Sequence, residues 1–179
     1  MKILVITGSG RRKGTSAYLA DEFIRGCRDA GNEVWRFDAA FSNIKPCMGC
    51  GTCRETDSCI WDDDFHKVAS YLTEADEIVL ATPVYYMGMT SQLKMVIDRM
   101  YQLESKPGFR GDKKYIVLST AWDSSPAVFK PLLDMTDSFC RFLRWESAGT
   151  ILAAGMDDRE SIENSLYGKE AYELGRKQK

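Results

Sequence analysis

The chain has 179 residues, 44% of them hydrophobic and 28% charged, with a formal net charge of −2. That is enough for one ordinary core and short for two domains, and the charge gives no basic field for a polyphosphate backbone, so nucleic acid is excluded as a partner. No apolar run is long enough to span a membrane, and MKILVITGSG holds too short an apolar stretch for a signal-peptide core.

Taken in chain order, Lys2–Thr7 (KILVIT) is apolar without in-out alternation, as a strand covered on both faces should be. Ala20, Phe23, Ile24 and Cys27 then repeat at i, i+3, i+4, i+7 and predict a helix ending at Gly31. Val34–Phe37 (VWRF) predicts a short strand, and Arg36 in its middle assigns it to a sheet edge. Phe65, Val68, Ala69 and Leu72 predict a second helix after the start signal Asp62-Asp63-Asp64. Glu77–Thr82 (EIVLAT) is the third strand, and Leu93, Val96, Ile97 and Met100 mark a third helix. Tyr115–Thr120 (YIVLST) follows as the fourth strand. Leu132, Met135, Phe139 and Phe142 then predict a helix that starts or kinks at Pro131. Gly149–Ala154 (GTILAA) is the fifth strand, and Ser161 to about Lys177 predicts a last helix whose basic end complements its dipole.

Strict alternation of strand and helix argues for an α/β doubly wound, five-stranded parallel sheet in the order 2-1-3-4-5, with helices on both faces. One domain is expected over residues 1–179, with a cysteine-rich loop at 47–59. In such a sheet ligands bind beyond the carboxyl ends of the strands, at the switch point between the first and third, so function belongs to the loops after strands one, three and four.

The first of these loops, TGSGRRKGTS, fails G-x-G-x-x-G because Gly14 follows Gly10 one residue too late, and it lacks the Gly-Lys-Ser/Thr of a P-loop. What remains is the hydroxyls of Ser9, Thr15 and Ser16, the cations Arg11 and Lys13, and the backbone N–H groups around Gly14, a set suited to one terminal phosphate. The plainer reading is that Thr15 or Ser16 caps the helix and the cations are solvated. In the loop after strand three, TPVYYMGMTSQLK, Pro83 fixes the exit and Val84, Tyr85, Tyr86 and Met87 offer flat or polarizable surface. Gly88 lets backbone N–H groups approach a ligand. This suits a planar heteroaromatic ring; the alternative is that the aromatics pack the loop on the third helix. Thr120, Ala121 and Trp122 close the other side of such a ring.

GSGRRKGTS, CMGCGTCRETDSCIWDDDF and EADEIVLATPVYYMGMTSQLKMVIDR together resemble the flavodoxin-like, NADPH-dependent FMN reductase family, in its branch similar to the iron–sulfur flavoproteins. The likeness is close from Met1 to about Arg99 and a matter of strand and helix pattern beyond. It implies FMN, with its phosphate at Ser9, Arg11 and Ser16 and its isoalloxazine on Pro83–Gly88. It also implies NAD(P)H as reductant, passing hydride to flavin N5 with no acid–base side chain required, and a small-molecule electron acceptor or redox protein as partner. A homodimer or homotetramer with FMN near a subunit interface is implied as well. Thr15-Ser16 stands where the family commonly has Asn before the helix-opening Thr, which keeps hydroxyl donors and loses an amide. The alternative is a flavodoxin-type or iron–sulfur electron carrier without NAD(P)H oxidation.

Cys47-x2-Cys50-x2-Cys53-x5-Cys59 resembles the compact motif of the iron–sulfur flavoproteins, and C-x2-C-x2-C turns also wrap cubane clusters in ferredoxins. Gly49 and Gly51 permit the wrap, whereas structural zinc normally draws on two more widely separated C-x2-C knuckles. The loop either holds a 4Fe-4S cluster on Cys47, Cys50, Cys53 and Cys59 or survives as a structural turn. A cytoplasmic setting is expected, where clustered cysteines are ligands or redox groups rather than disulfides. Cys27 and Cys140 read as small core hydrophobes and His66, off its helix's apolar stripe, as solvated.

Overall fold

In the computed structural model, which describes residues 1–179, five parallel strands form one sheet in the order β2-β1-β3-β4-β5. They are β1 (Lys2–Thr7), β2 (Glu33–Asp38), β3 (Glu77–Pro83), β4 (Lys114–Thr120) and β5 (Glu146–Ala153). The three central strands are the continuous apolar runs, and they are buried because helices cover both faces. Alternation along each strand sorts a single run into two cores. Ile3, Val5, Val79, Ala81, Ile116 and Leu118 face α1 (Thr15–Asp29) and α7 (Tyr167–Arg176). Leu4, Ile6, Ile78, Leu80 and Val117 face α3 (His66–Glu74), α4 (Ser91–Arg99) and α5 (Lys130–Leu143).

Glycine sets the packing of α1 on α7. A Cβ on Gly26 would lie 2.1 Å from the Tyr172 carbonyl oxygen, and one on Gly175 would lie 2.3 Å from that of Phe23, so each backbone rests directly on the other helix. β2 is an edge strand, as Arg36 indicated; its guanidinium reaches out to Asp38 at 2.8 Å and to Asp21 on α1. Pro131 sits in the first turn of α5, where a missing N–H costs no helical bond, and a 3-10 turn (Pro126–Phe129) leads into it.

Two elements depart from the sequence reading. The C-terminal segment is two helices rather than one: α6 (Arg159–Glu163) is opened by a capping box between Asp158 and Ser161, and α7 starts afresh at Tyr167. The cysteine segment contains a short helix, α2 (Thr52–Thr56), bounded by left-handed Gly51 and Asp57. No helix is long and apolar enough to cross a membrane.

Candidate functional site

The loops that leave β1 and β3 are laced together where the strand order reverses. Thr90 opens α4 by accepting the Leu93 N–H, donates its own hydroxyl to the Gly8 carbonyl at 2.8 Å, and gives its N–H to the Thr82 hydroxyl at 3.1 Å. Gly8 has to be glycine there, since a Cβ would stand 2.4 Å from Thr90 Oγ1 and 2.8 Å from Leu93 Cβ.

The start of α1 is open. Gly14 is its N-cap with extended backbone and no side-chain hydrogen bond, so neither Thr15 nor Ser16 acts as a cap. The Thr15 hydroxyl instead meets that of Thr120, at the end of β4, at 2.8 Å, and Ser16 is buried beneath the helix. Tyr18 is the first residue whose N–H bonds back, to the Gly14 carbonyl, which leaves the N–H groups of Thr15, Ser16 and Ala17 facing outward at the positive end of the dipole. Ser9 shapes the approach by accepting the Arg11 N–H at 3.1 Å. Arg12 turns away and stacks on Phe41, its guanidinium 3.7 Å from the ring centroid.

Across from this end, Tyr85 and Gly88 exchange both backbone hydrogen bonds, at 2.9 and 3.0 Å. Between them Tyr86 and Met87 have φ of 45° and 64°. Two left-handed residues in a two-residue turn make a type I′ hairpin, where Asn and Gly are usual, so this loop keeps local strain. Tyr86 projects fully into solvent, Tyr85 and Met87 are about half exposed, and Trp122 opposite is 77% exposed.

One cleft of about 340 Å³ runs between these loops, at the small end of the range of ligand pockets and open to solvent along its rim. Its walls are Ser9, Arg11, Lys13, Gly14 and Thr15 on one side, Pro83, Val84 and Tyr85 on the next, and Thr120, Ala121 and Trp122 on the third. The structure thus brings most of the expected residues together. Ser16 stays below the helix, Tyr86 and Met87 stand at the tip of the turn above the cleft, and Gly88 pairs with Tyr85 behind it. Sequence reasoning missed a fourth wall, Met156, Asp157, Asp158 and Arg159, after β5. The capping box beginning at Asp158 was its one signal. Arg159 lies over the Tyr18 ring at 4.6 Å and pairs with Glu163. The chemistry of these walls fits a mononucleotide with a planar ring: open N–H groups and two cations at one end, aromatic and thioether surface at the other.

A second concavity lies beside α4. Cys47, Cys50, Cys53 and Cys59 all contribute to its wall, together with Met48, Ile60, Trp61 and Arg99, and all four thiols are free. Gly49 and Gly51 hold φ of 67° and 80°, which folds the segment back on itself. Hydrogen bonds from the Thr52 hydroxyl and N–H favour the Cys50 thiolate, whereas burial and then the neighbouring Cys59 push the Cys53 thiol up. No three His, Cys, Asp or Glu side chains converge on one ion position. A cubane binds each thiolate to a different iron, and the four thiols around one cavity match it in donor type and number, although the cavity, about 20 Å³ here, has to widen to take one.

Beside it, Asp63 and Arg99 form a buried ion pair at 2.6 Å. Burial opposes the Asp63 charge, yet Arg99 and the N–H groups of Lys45 and Phe65 hold its carboxyl below the usual carboxylate range. Cys27 and Cys140 are fully buried core residues, and burial pushes the Cys27 thiol up to about 12. His66 is exposed, its Nδ1 2.6 Å from the Asp63 carbonyl.

The model of the NADPH-dependent FMN reductase family matches residues 1–128. The chain belongs to that family. The matched part includes the loops after β1, β3 and β4 and the cysteine segment, and stops short of the fourth wall. An iron–sulfur flavoprotein of Archaeoglobus fulgidus is 34% identical over 111 residues, 62% of this chain and 50% of that protein. One of Methanocaldococcus jannaschii is 35% identical over 114 residues, 60% of this chain and 59% of that protein. The match therefore spans between half and three-fifths of these relatives' length. Among solved structures, an NAD(P)H:quinone oxidoreductase from Methanothermobacter marburgensis superposes with a TM-score of 0.76 at 18% identity, covering 98% of this chain and 96% of its own. That likeness shows a common flavodoxin-like fold.

Proposed function

We propose that the chain is an FMN-dependent oxidoreductase that takes hydride from NAD(P)H and passes electrons to a small-molecule acceptor, or to an iron–sulfur cluster on Cys47, Cys50, Cys53 and Cys59. The observation that carries this reading is the uncapped start of α1 facing an aromatic rim across a single cleft. Bound FMN supplies the acceptance of hydride at N5 and its release as one or two electrons.

The chain's own residues bind and orient. The N–H groups of Thr15, Ser16 and Ala17 would hold the phosphate dianion, with Arg11 and Lys13 adding charge and Ser9 fixing the loop that carries them. The Thr15–Thr120 hydrogen bond keeps the phosphate end and the end of β4 in register. Pro83, Val84 and Tyr85 would hold the ring from one wall and Trp122 from another, with Tyr86 and Met87 exposed at the rim where a reductant would approach. No side chain is asked to move a proton. The exposed aromatic area beside the cleft supports a homodimer or homotetramer, in which a second copy would cover it. Six free cysteines suit a reducing, cytoplasmic setting.

The test is an anaerobic absorption spectrum of the full chain loaded with FMN, before and after NADPH. A flavin spectrum bleached by NADPH supports the reductase. Bleaching by dithionite but not by NADPH or NADH moves the assignment to an electron carrier, and failure to bind FMN overturns it.

A further inference from the structure

The cysteine segment is closed at its neck by a buried clasp. Asp63 accepts the Lys45 N–H at 2.8 Å and the Phe65 N–H at 3.1 Å. One residue further out, Asp64 accepts the Asn43 N–H at 2.8 Å and returns its own N–H to the Asn43 carbonyl at 3.0 Å. Arg99, the last residue of α4, bridges both sides: Nη1 donates to Asp63 at 2.6 Å and to the Lys45 carbonyl at 2.9 Å, and Nη2 donates to the other Asp63 oxygen at 3.2 Å. Both partners of the pair are 2% exposed, so the clasp is dry. Residues 45 and 63 enclose all four clustered cysteines.

The terminal nitrogens of Arg99 satisfy Asp63 and Lys45 completely. Its third nitrogen, Nε, is buried with no acceptor, although the same residue forms part of the wall of the cysteine cavity. The Phe65 ring lies 4.9 Å from the guanidinium carbon and offers no lone pair. A buried cationic donor without an acceptor is costly, and the clasp does not need this N–H. Sulfur is the acceptor that the cavity supplies in quantity, as thiolate or as the sulfide of a bound cluster, and anionic sulfur strengthens the bond.

We infer that Arg99 is a positioning residue of the cysteine site: its terminal nitrogens hold the neck shut, and its Nε–H donates to a sulfur of the cluster carried by Cys47, Cys50, Cys53 and Cys59. This rests on the cluster half of the proposed function. A hydrogen bond to cluster sulfur favours the more negative, reduced state and so raises the reduction potential.

The experiment uses the full chain, loaded anaerobically with ferrous iron and sulfide, with arginine labelled by ¹⁵N at Nε. Iron and acid-labile sulfide are counted per chain, the reduced cluster is studied by electron–nuclear double resonance, and its midpoint potential is titrated. Arg99→Lys keeps the charge opposite Asp63 and removes Nε. The wild-type cluster should show a ¹⁵N coupling that disappears in Arg99→Lys, and the variant should carry the same iron at a lower potential. A wild-type cluster without the coupling, a coupling that survives in Arg99→Lys, or an unchanged potential overturns the inference. Where Arg99→Lys fails to fold, Arg54→Lys decides, since Arg54 is the one arginine inside the loop: a coupling that persists supports Arg99, and one that vanishes overturns it. A wild-type chain that takes up no iron overturns the cluster reading and this inference with it, a result the iron count alone tells apart.

Discussion

Glu77 begins β3 in register with Ile3 and Lys114, and its side chain is fully buried on the face covered by α1, where neither carboxylate oxygen has a partner. Burial pushes its carboxyl up to about 7, with Lys114 pulling the other way. Its proximity also adds to the burial that raises the Cys27 thiol. An ordinary glutamate titrates near 4.5, so between that value and about 7 the folded chain keeps a proton that the unfolded chain has released. The sign follows: this contribution to stability is fully present below the lower value, is lost as pH rises through the upper one, and is constant beyond it. At its largest the difference is about 3 kcal/mol. Glu77→Gln keeps the shape and cannot ionise. Urea unfolding should show the variant gaining about 1–3 kcal/mol over the wild type near pH 8 and little near pH 4. An equal change at both pH values would mean that the carboxyl is not buried uncharged.

At the scale of elements, the junction of β1, β3 and α4 depends on Gly8 and Thr90. Gly8→Ala puts a methyl group 2.4 Å from Thr90 Oγ1, which pushes that side chain aside and loses the hydroxyl's bond to the Gly8 carbonyl. Overpacking of this kind costs about 1–3 kcal/mol, and because the junction sets the spacing of the loop after β1 against Pro83–Tyr85, FMN affinity should fall by about tenfold or more. Flavin fluorescence titration alongside thermal melting checks both, and a destabilised variant with unchanged affinity would separate the junction from the cleft. The strands were legible in the sequence because helices cover both sides of them, which enforces continuous apolar runs in KILVIT, EIVLAT and YIVLST. The α2 helix was not, since none of its residues is buried and periodicity has nothing to report. The break at residues 164–166 carries no proline or glycine to announce it, and just after it Gly168 in the first turn of α7 passes Tyr18, a Cβ there falling 2.6 Å from the Tyr18 hydroxyl oxygen, a contact between distant segments that leaves no local pattern. Asp63 belongs to this class too. Its sequence context marks a helix start, while its partner Arg99 lies 36 residues away. The walls after β1, β3 and β4 were legible from loop chemistry, whereas Met156–Arg159 has the composition of any solvated loop.

For the whole molecule, the cleft and the cysteine cavity share no wall residue. The cleft is built from strand ends and the start of α1, and the cavity hangs beside α4 behind its own clasp. The clasp grips the neck at Lys45 and Asp63 and makes no use of the thiols, so the loop tolerates their loss. The double variant Cys50→Ser, Cys53→Ser should therefore take up no iron and sulfide, yet bind FMN within about twofold of the wild type and unfold within about 1 kcal/mol of the iron-free wild type, as expected for distant, independent sites. Iron analysis, flavin titration and urea unfolding on one preparation measure all three. Iron uptake that survives the double variant would remove these cysteines from the ligand set. Flavin lost together with iron would mean that the cysteine segment builds part of the flavin pocket, in an assembled form where one chain's loop completes its partner's cleft, since within a single chain the two walls do not meet.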